Sequence, residues 1–162
     1  LLLGRRTYEI FAAHWPYQDD EIGRAFTAAN KYVAAGPGTP LDWANSHRLE
    51  GDLPEAVRAL KASEGPDLLI HGSSEVTHAL MAADLIDRLT ILTFPVVLGR
   101  GKRLFDESSR PHAWRLVSSG VSTTGVVVAS YERGGEVPVG SFAQDAPTEA
   151  ELARRARWAR EG

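Results

Sequence analysis

The chain contains no cysteine, no long apolar run and no large excess of either charge. Without cysteine it can form neither disulfide bonds nor thiolate metal sites, and we expect a cytoplasmic protein because a reducing compartment suits such a sequence. The apolar runs are far shorter than the roughly 20 residues of a membrane span, and no signal-peptide pattern is expected. The formal net charge is −3, so we expect neither nucleic acid nor a membrane as a partner. The length of 162 residues is typical of one domain with a real core.

Asp67–Ala83 is the stretch around which the chain is organised. Leu68–Ile70 is a short apolar run that predicts a strand buried on both faces, and Gly72 follows it. Ser73 and Ser74 are predicted to cap the next element. Apolar residues then recur at helical spacing: Val76, Ala79, Leu80 and Ala83. A strand, a small-residue turn and a helix start would suit a phosphate, although an ordinary strand–helix connection has the same pattern.

The beginning of the chain repeats this pattern. Leu1–Leu3 is the end of an apolar strand, Gly4 interrupts it, and Arg5, Arg6 and Thr7 open a helix. Two such units could hold both ends of a dinucleotide, with arginine offering fork-shaped donors for phosphate oxygens. A solvated helix start is the alternative for the arginines, but cations avoid that end of a helix unless an anion is present. Because the chain opens inside an apolar run, we expect a further N-terminal segment.

The remaining elements predict an α/β fold. Strands alternate with helices up to the middle of the chain and dominate towards its end, which indicates a mainly parallel sheet with an antiparallel C-terminal edge. The predicted helices are Glu21–Asn30, one that begins after Asp52, and Glu149–Arg160 with a capping box at Thr148 and Glu151; the predicted strands are Lys31–Ala34, Arg88–Phe94, Trp114–Ser119 and Val126–Arg133.

Three segments, in this order, resemble the dihydrofolate reductase superfamily. They are Leu3–Glu9 (LGRRTYE), Leu69–Leu80 (LIHGSSEVTHAL) and Leu85–Phe105 (LIDRLTILTFPVVLGRGKRLF). The chain is most similar to the dihydrofolate-reductase-like proteins related to the reductase domain of the bifunctional riboflavin-biosynthesis deaminase-reductase. The likeness covers residues 1–133, an N-terminally incomplete domain on this interpretation, and leaves 134–162 as a loop and a basic helix.

The resemblance implies a three-layer fold and an NAD(P)H-dependent oxidoreductase. Such an enzyme would transfer a hydride to a small heterocyclic or carbonyl-like substrate, as dihydrofolate reductase and 5-amino-6-(5-phosphoribosylamino)uracil reductase do. By motif position the NADPH-binding residues would be Gly4, Arg5, Arg6, Thr7, Gly72, Ser73, Ser74, Glu75 and Val76. Phe11 and Trp15 would face the substrate, and the Gly72–Ser73 peptide bond would be cis.

The resemblance leaves several questions open. The family's first strand, which carries the acid of true dihydrofolate reductases, would precede Leu1, so no catalytic acid is assigned. Ala34–Gly36 replaces hydroxyl or basic residues beside the adenosine 2′-phosphate, so NADH is an alternative to NADPH. A nucleotide-binding relative without turnover is the alternative function. We expect a homodimer and no metal site, and His71 is either a coenzyme contact or a hydrogen-bonded residue at a strand end.

Overall fold

The computed structural model describes residues 1–105, 109–138, 140 and 146–161. The described helices are α1 (Arg5–Ala12), α2 (Glu21–Ala28), α3 (Leu53–Ala62), α4 (Ser74–Ala82) and α5 (Glu149–Glu161), with a 3-10 turn at Trp15–Tyr17. The described strands are β1 (Leu2–Gly4), β2 (Lys31–Ala34), β3 (Ser46–Arg48), β4 (Arg88–Thr93), β5 (Ala113–Val121) and β6 (Val127–Gly135). None of these helices is both long enough and apolar enough to cross a membrane.

The first half of the chain forms a parallel sheet in the order β1-β2-β3. On the other side of β1, Leu2 N–H donates to the Leu69 carbonyl over 2.9 Å, and Leu2 and Ile70 form a single parallel bridge. The strand predicted at Leu68–Ile70 is therefore only one bridge long. Its predicted burial on both faces is wrong for Leu69, which is 53% exposed, because it points to the face opposite Leu68 and Ile70, which pack against the Leu2 cluster.

Alternation along β1 places core residues on both faces of the parallel sheet. Leu2 packs with Val57, Val76 and Leu80 on the face that α3 and α4 cover. Leu3 packs on the opposite face with a second buried cluster: Tyr8, Val33 and Trp43. Successive strand residues point to opposite faces, so two adjacent leucines serve two cores. This helix–sheet–helix arrangement confirms the predicted α/β fold in three layers.

The C-terminal strands form an antiparallel sheet in the order β4-β6-β5. The predicted antiparallel strands are confirmed, and the described pairings give them a sheet of their own. Arg133 of β6 connects this sheet to the turn after α4. Its Nη1 donates to Asp84 Oδ2 over 2.7 Å and its Nε to the Ile86 carbonyl over 2.8 Å.

Strand β3 was not predicted, because SHR has neither an apolar run nor an alternating pattern. It forms against the backbone of β2, and the Arg48 side chain then orders the loop that follows β2. Its guanidinium donates to the carbonyls of Ala35 over 2.9 Å and Thr39 over 2.6 Å, and also to that of Gly36. A charged side chain therefore provides donors for three loop carbonyls, of which that of Gly36 also accepts from Thr39 N–H over 3.1 Å.

Candidate functional site

Helices α1 and α4 begin side by side, and one serine joins their starts. Gly4 N–H donates to Ser73 Oγ over 3.0 Å, and Ser73 Oγ donates to Thr7 Oγ1 over 3.0 Å. A Cβ built on Gly4 would lie 3.4 Å from Cγ2 of Val76, so the turn before α1 is in close contact with α4. The structure thus brings together the two glycine turns that the sequence placed 68 positions apart.

The starts of α1 and α4 also differ from those of the other described α-helices in their caps. Asp20 accepts from Gly23 N–H at the start of α2, Asp52 from Glu55 N–H at α3, and Thr148 from Glu151 N–H at α5. In contrast, neither Gly4 before α1 nor Ser73 before α4 provides a side-chain cap. The first turns of an α-helix carry unpaired N–H groups and partial positive charge, so these two adjoining starts suit an anion.

The predicted capping of α4 by Ser73 is wrong, although Ser73 does occupy the N-cap position. Its backbone is left-handed, with φ 52° and ψ 51°, and its hydroxyl is directed towards Gly4 and Thr7 instead of the first turn of α4. Gly72 before it has φ 60°. The peptide bond between them is trans, so the predicted cis bond is also wrong. Two consecutive left-handed residues reverse the chain here without a cis bond.

The two predicted arginines lie on the first turn of α1 and are exposed. Arg5 pairs with Glu9 one turn further along the helix, with 2.8 Å between Nη1 and Oε1. Each side chain of this pair is about half exposed, so the ion pair contributes little to stability. A bound phosphate would therefore replace the Glu9 carboxylate as the partner of Arg5 at a small cost in free energy.

Phe11 and Trp15, the predicted substrate contacts, belong to a half-buried aromatic cluster with Phe26 and His71. Trp15 stacks on Phe26 with 4.7 Å between ring centroids, and Phe11 meets Phe26 edge to face at 5.6 Å. The His71 ring lies 5.6 Å from Phe26 and 6.2 Å from Phe11. Because His71 directly precedes Gly72, this aromatic cluster adjoins the two helix starts. Phe26 and His71 were not assigned to the substrate pocket from sequence, since 45 positions separate them.

Two cavities lie beyond this cluster. One of about 310 Å³ is at the ends of β2 and β3, lined by Ala34, Ala35, Gly36, Leu49, Gly51 and Leu53. The other, of about 380 Å³, lies between the end of α4 and the antiparallel sheet and includes Asp84, His112, Trp114 and Arg133. The residues predicted to bind NADPH or substrate line neither cavity, but Ala34–Gly36, which the resemblance places beside the adenosine 2′-phosphate, lines the first. Within the described part of the chain, no group of three or more histidine or acidic side chains could hold a metal ion.

Lys102 also reaches this region and was not assigned a role from sequence. Its Nζ lies 3.3 Å from Ser74 Oγ at the first residue of α4. The available signal was a lysine in the glycine-rich segment GRGK, but a sequence does not tell which helix such a loop contacts.

Known proteins resemble this chain over most of its length. A family model described as the RibD C-terminal domain matches residues 1–128. "Uncharacterized protein YyaP" of Bacillus subtilis (strain 168) is 24% identical over 140 residues, which are 83% of this chain and 74% of that protein. "Uncharacterized protein YwjB" of the same organism is 32% identical over 123 residues, 72% of this chain and 63% of that protein.

A solved structure has the same fold. It is the "Putative riboflavin biosynthesis protein" from Shewanella sp. PV-4, with a TM-score of 0.60 and 24% sequence identity. The similarity covers 82% of this chain and 72% of that one.

Proposed function

The chain belongs to the RibD C-terminal domain family, and we propose that it is an NADPH-dependent reductase. Family membership confirms the resemblance to the riboflavin-biosynthesis reductase domain and supports a reductase-like function. The proposed reaction is hydride transfer to a small heterocyclic or carbonyl-like substrate of the kind reduced in riboflavin biosynthesis. The observation that carries this proposal is the meeting of two helix starts, α1 and α4, that lack side-chain caps.

The groups at these helix starts fit the phosphates of a dinucleotide. The backbone N–H groups of the first turns would donate to phosphate oxygens, and Gly4 and Gly72 keep Cβ atoms out of the way. Ser73 holds the two starts together through Gly4 and Thr7. The residues proposed to hold the coenzyme are Gly4, Arg5, Arg6, Thr7, Gly72, Ser73, Ser74, Glu75 and Val76.

The aromatic cluster is proposed to bind the substrate. Phe11 and Trp15 offer flat apolar faces beside the turn at Gly72, which suit a heterocycle. A reduced nicotinamide coenzyme supplies a hydride when bound. The residues of this chain bind and orient the reactants and exclude water from them.

A second candidate function is nucleotide binding without turnover. The observation in its favour is that the two adjoining helix starts suit the phosphates of a nucleotide whether or not a hydride is transferred. This candidate and the reductase both require the coenzyme to bind, and only the reductase requires its oxidation. Absorbance at 340 nm, followed with NADPH and either 5-amino-6-(5-phosphoribosylamino)uracil or dihydrofolate, separates them.

The test of the coenzyme site uses the close contact at Gly4. In Gly4→Val the new side chain would meet Val76 and Ser73 and push the two helix starts apart. We expect the dissociation constant of NADPH, measured by fluorescence titration, to rise about tenfold or more, since misplaced donors lose much of their effect.

Gly65→Val is the matched control for Gly4→Val. A Cβ at Gly65 has nothing within 4 Å, so this variant should bind NADPH as the unaltered protein does. Thermal melting of both variants shows whether each is folded. A folded Gly4→Val protein with undiminished affinity would place the coenzyme elsewhere.

The expected homodimer remains a proposal, which the exposed apolar surface of the second half supports. Val97 is 97% exposed and Leu98 83%, and they continue an exposed apolar run from β4. Strand β4 is one of the two outer strands in the order β4-β6-β5, and no described strand pairs with its other edge. Monomers rarely expose apolar patches of this kind, and open strand edges favour association. We propose that a second copy of the chain covers this surface.

A further inference from the structure

We propose that Lys102 binds the pyrophosphate of the dinucleotide at the start of α4. The inference rests on the proposed function, which already places the coenzyme phosphates at the two helix starts, and adds to it a residue that neither the sequence nor family membership assigned. Three features of the described loop carry it: where the loop is held, how its backbone turns, and which charge it brings to the helix start.

The segment containing Lys102 is held along the first half of α4. Lys102 Nζ lies 3.3 Å from Ser74 Oγ, and His78 Nε2 lies 2.9 Å from the Leu104 carbonyl oxygen. Ser74 and His78 are one helical turn apart on the same side of α4. Two contacts one turn apart therefore align residues 102–104 with the helix and bring the lysine to its first turn.

Two glycines shape the loop that precedes Lys102. Gly99 has φ 72° and Gly101 has φ 153°, values that side chains other than glycine rarely adopt. A backbone that turns twice within three residues returns the chain to α4 directly after the exposed run at Val97 and Leu98. The glycines of the GRGK segment are therefore explained by the backbone angles of the loop, which place Lys102 beside the first turn of α4.

The position of the lysine charge suits an anion. A cation at the N-terminal end of a helix opposes the helix dipole unless a negative charge lies nearby; Glu75 places one such charge in the first turn of α4, and a phosphate would add another. Ser74 Oγ occupies one of the three donors of the Lys102 amine at a distance of 3.3 Å, which leaves donors for a second acceptor. The start of α4 has no side-chain cap, so its N–H groups and the lysine would donate to the same phosphate oxygens.

The lysine is better placed for this role than the paired arginines. Arg5 already shares its charge with Glu9 on α1, at 2.8 Å. Lys102 approaches from a different part of the chain and faces α4, whereas Arg5 and Arg6 extend from α1. The pyrophosphate is common to NADPH and NADH, so a lysine that binds it should affect both coenzymes equally.

The experiment measures binding of NADPH and NADH by fluorescence titration to Lys102→Met, Lys102→Arg and the unaltered protein. In Lys102→Met we expect both dissociation constants to rise about tenfold, by the same factor, and to depend less steeply on salt. Lys102→Arg keeps the charge and should stay within about threefold of the unaltered protein.

Arg103→Met is the matched control because it removes the same charge from the neighbouring position of the same loop. It should bind both coenzymes as the unaltered protein does. If Arg103→Met lost as much affinity as Lys102→Met, the effect would come from the overall positive charge of the loop and not from a specific contact, and the proposal would be overturned. A larger loss for NADPH than for NADH in Lys102→Met would also overturn it, since the contact would then be with the 2′-phosphate.

Failure of this inference can be distinguished from failure of the proposed function. If the unaltered protein binds neither coenzyme, the proposed function falls and Lys102 with it. If the unaltered protein binds both and Lys102→Met binds them equally well, only the role of Lys102 falls. Limited trypsin digestion gives a second readout, because NADPH should slow cleavage after Lys102 in the unaltered protein. An unchanged cleavage rate at saturating NADPH would contradict the contact.

Discussion

Lys31 is a buried lysine whose position is explained by the groups around its amine. Among the described residues, it is the charged side chain with no exposed surface, although lysine is almost never fully buried. Its Nζ donates to the carbonyls of Phe26 over 3.0 Å and Thr27 over 2.8 Å, at the end of α2. The amine also lies 4.1 Å from the centre of the Trp43 ring. Lys31 therefore replaces the missing backbone donors at the C-terminus of α2.

Burial lowers the pKa of Lys31 from 10.5 to about 8, and this predicts how stability changes with pH. Between about pH 8 and 10.5 the unfolded chain would bind more protons than the folded one, so the free energy of unfolding should rise with pH. The indole face of Trp43 favours the charged amine and offsets part of this effect. Urea unfolding at several pH values measures it.

Lys31→Met should abolish that rise and destabilise the protein by about 1–3 kcal/mol, because two carbonyls lose their donor. Lys61→Met, a partly exposed lysine on α3, is the control and should change stability much less. If the unfolding free energies of the unaltered protein and of Lys31→Met changed in parallel from pH 8 to 10.5, Lys31 would not be the group that titrates.

Arg5 gives a second prediction at the scale of the residue, on coenzyme preference. If its guanidinium exchanges Glu9 for the 2′-phosphate, Arg5→Ala should weaken the binding of NADPH by about 1.5–3 kcal/mol. The binding of NADH should remain almost unchanged. Titration with both coenzymes measures this, and Glu9→Gln should have the opposite effect by freeing Arg5. Equal losses for the two coenzymes would remove Arg5 from this role. The equal loss expected for Lys102→Met makes the two residues distinguishable.

At the scale of the element, helix α5 contains ion pairs between one glutamate and two arginines. Glu151 in its first turn accepts from Arg154 Nε over 2.7 Å and from Arg155 Nε over 2.8 Å. The hydrogen bonds from Arg154 and then Arg155 hold the pKa of Glu151 at about 2, below the usual 4.5. The stabilisation of the helix by this ionised carboxylate is therefore fully present above pH 4.5 and is lost as the pH falls through about 2.

Removing the strongest of these contacts should raise the pKa of Glu151 towards 4.5. In Arg154→Gln, NMR titration of the Glu151 side chain should show an inflection at higher pH than in the unaltered protein. Arg160→Gln, at the other end of α5, serves as the comparison and should leave the inflection in place. A titration curve unaffected by Arg154→Gln would show that the arginine does not hold this carboxylate in solution.

At the scale of the whole molecule, the exposed apolar surface near Val97 should determine the oligomeric state. Val97→Glu places a charge on this surface, and charged side chains disfavour burial in an interface. We expect sedimentation equilibrium to show a dimer for the unaltered protein and a weaker dimer or a monomer for this variant. Ile22→Glu alters an exposed apolar residue of α2 and should remain dimeric. A monomeric unaltered protein would contradict the proposed dimer directly.

The local elements were predictable where short-range chemistry decides them. β2 has the predicted bounds Lys31–Ala34, and α3 begins where Asp52 and Pro54 indicated. The short polar strand β3 was missed because it exists through pairing with β2 and not through its own pattern. For the candidate site, the sequence singled out the two glycine turns that the structure brings together, but it indicated neither the hydrogen bonds of Ser73 nor the placement of Lys102.

By itself the sequence determined the α/β class, the family and the starts of most helices, because caps, periodicity and motifs act over a few residues. The tertiary structure alone decided that Ser73 holds Gly4 and Thr7 instead of capping α4, through contacts that span 69 and 66 positions. It also decided that Lys31 is buried and that Lys102 reaches Ser74, 28 positions away. A side chain with several possible partners bonds to whichever of them folding brings within reach, and no local pattern records that outcome.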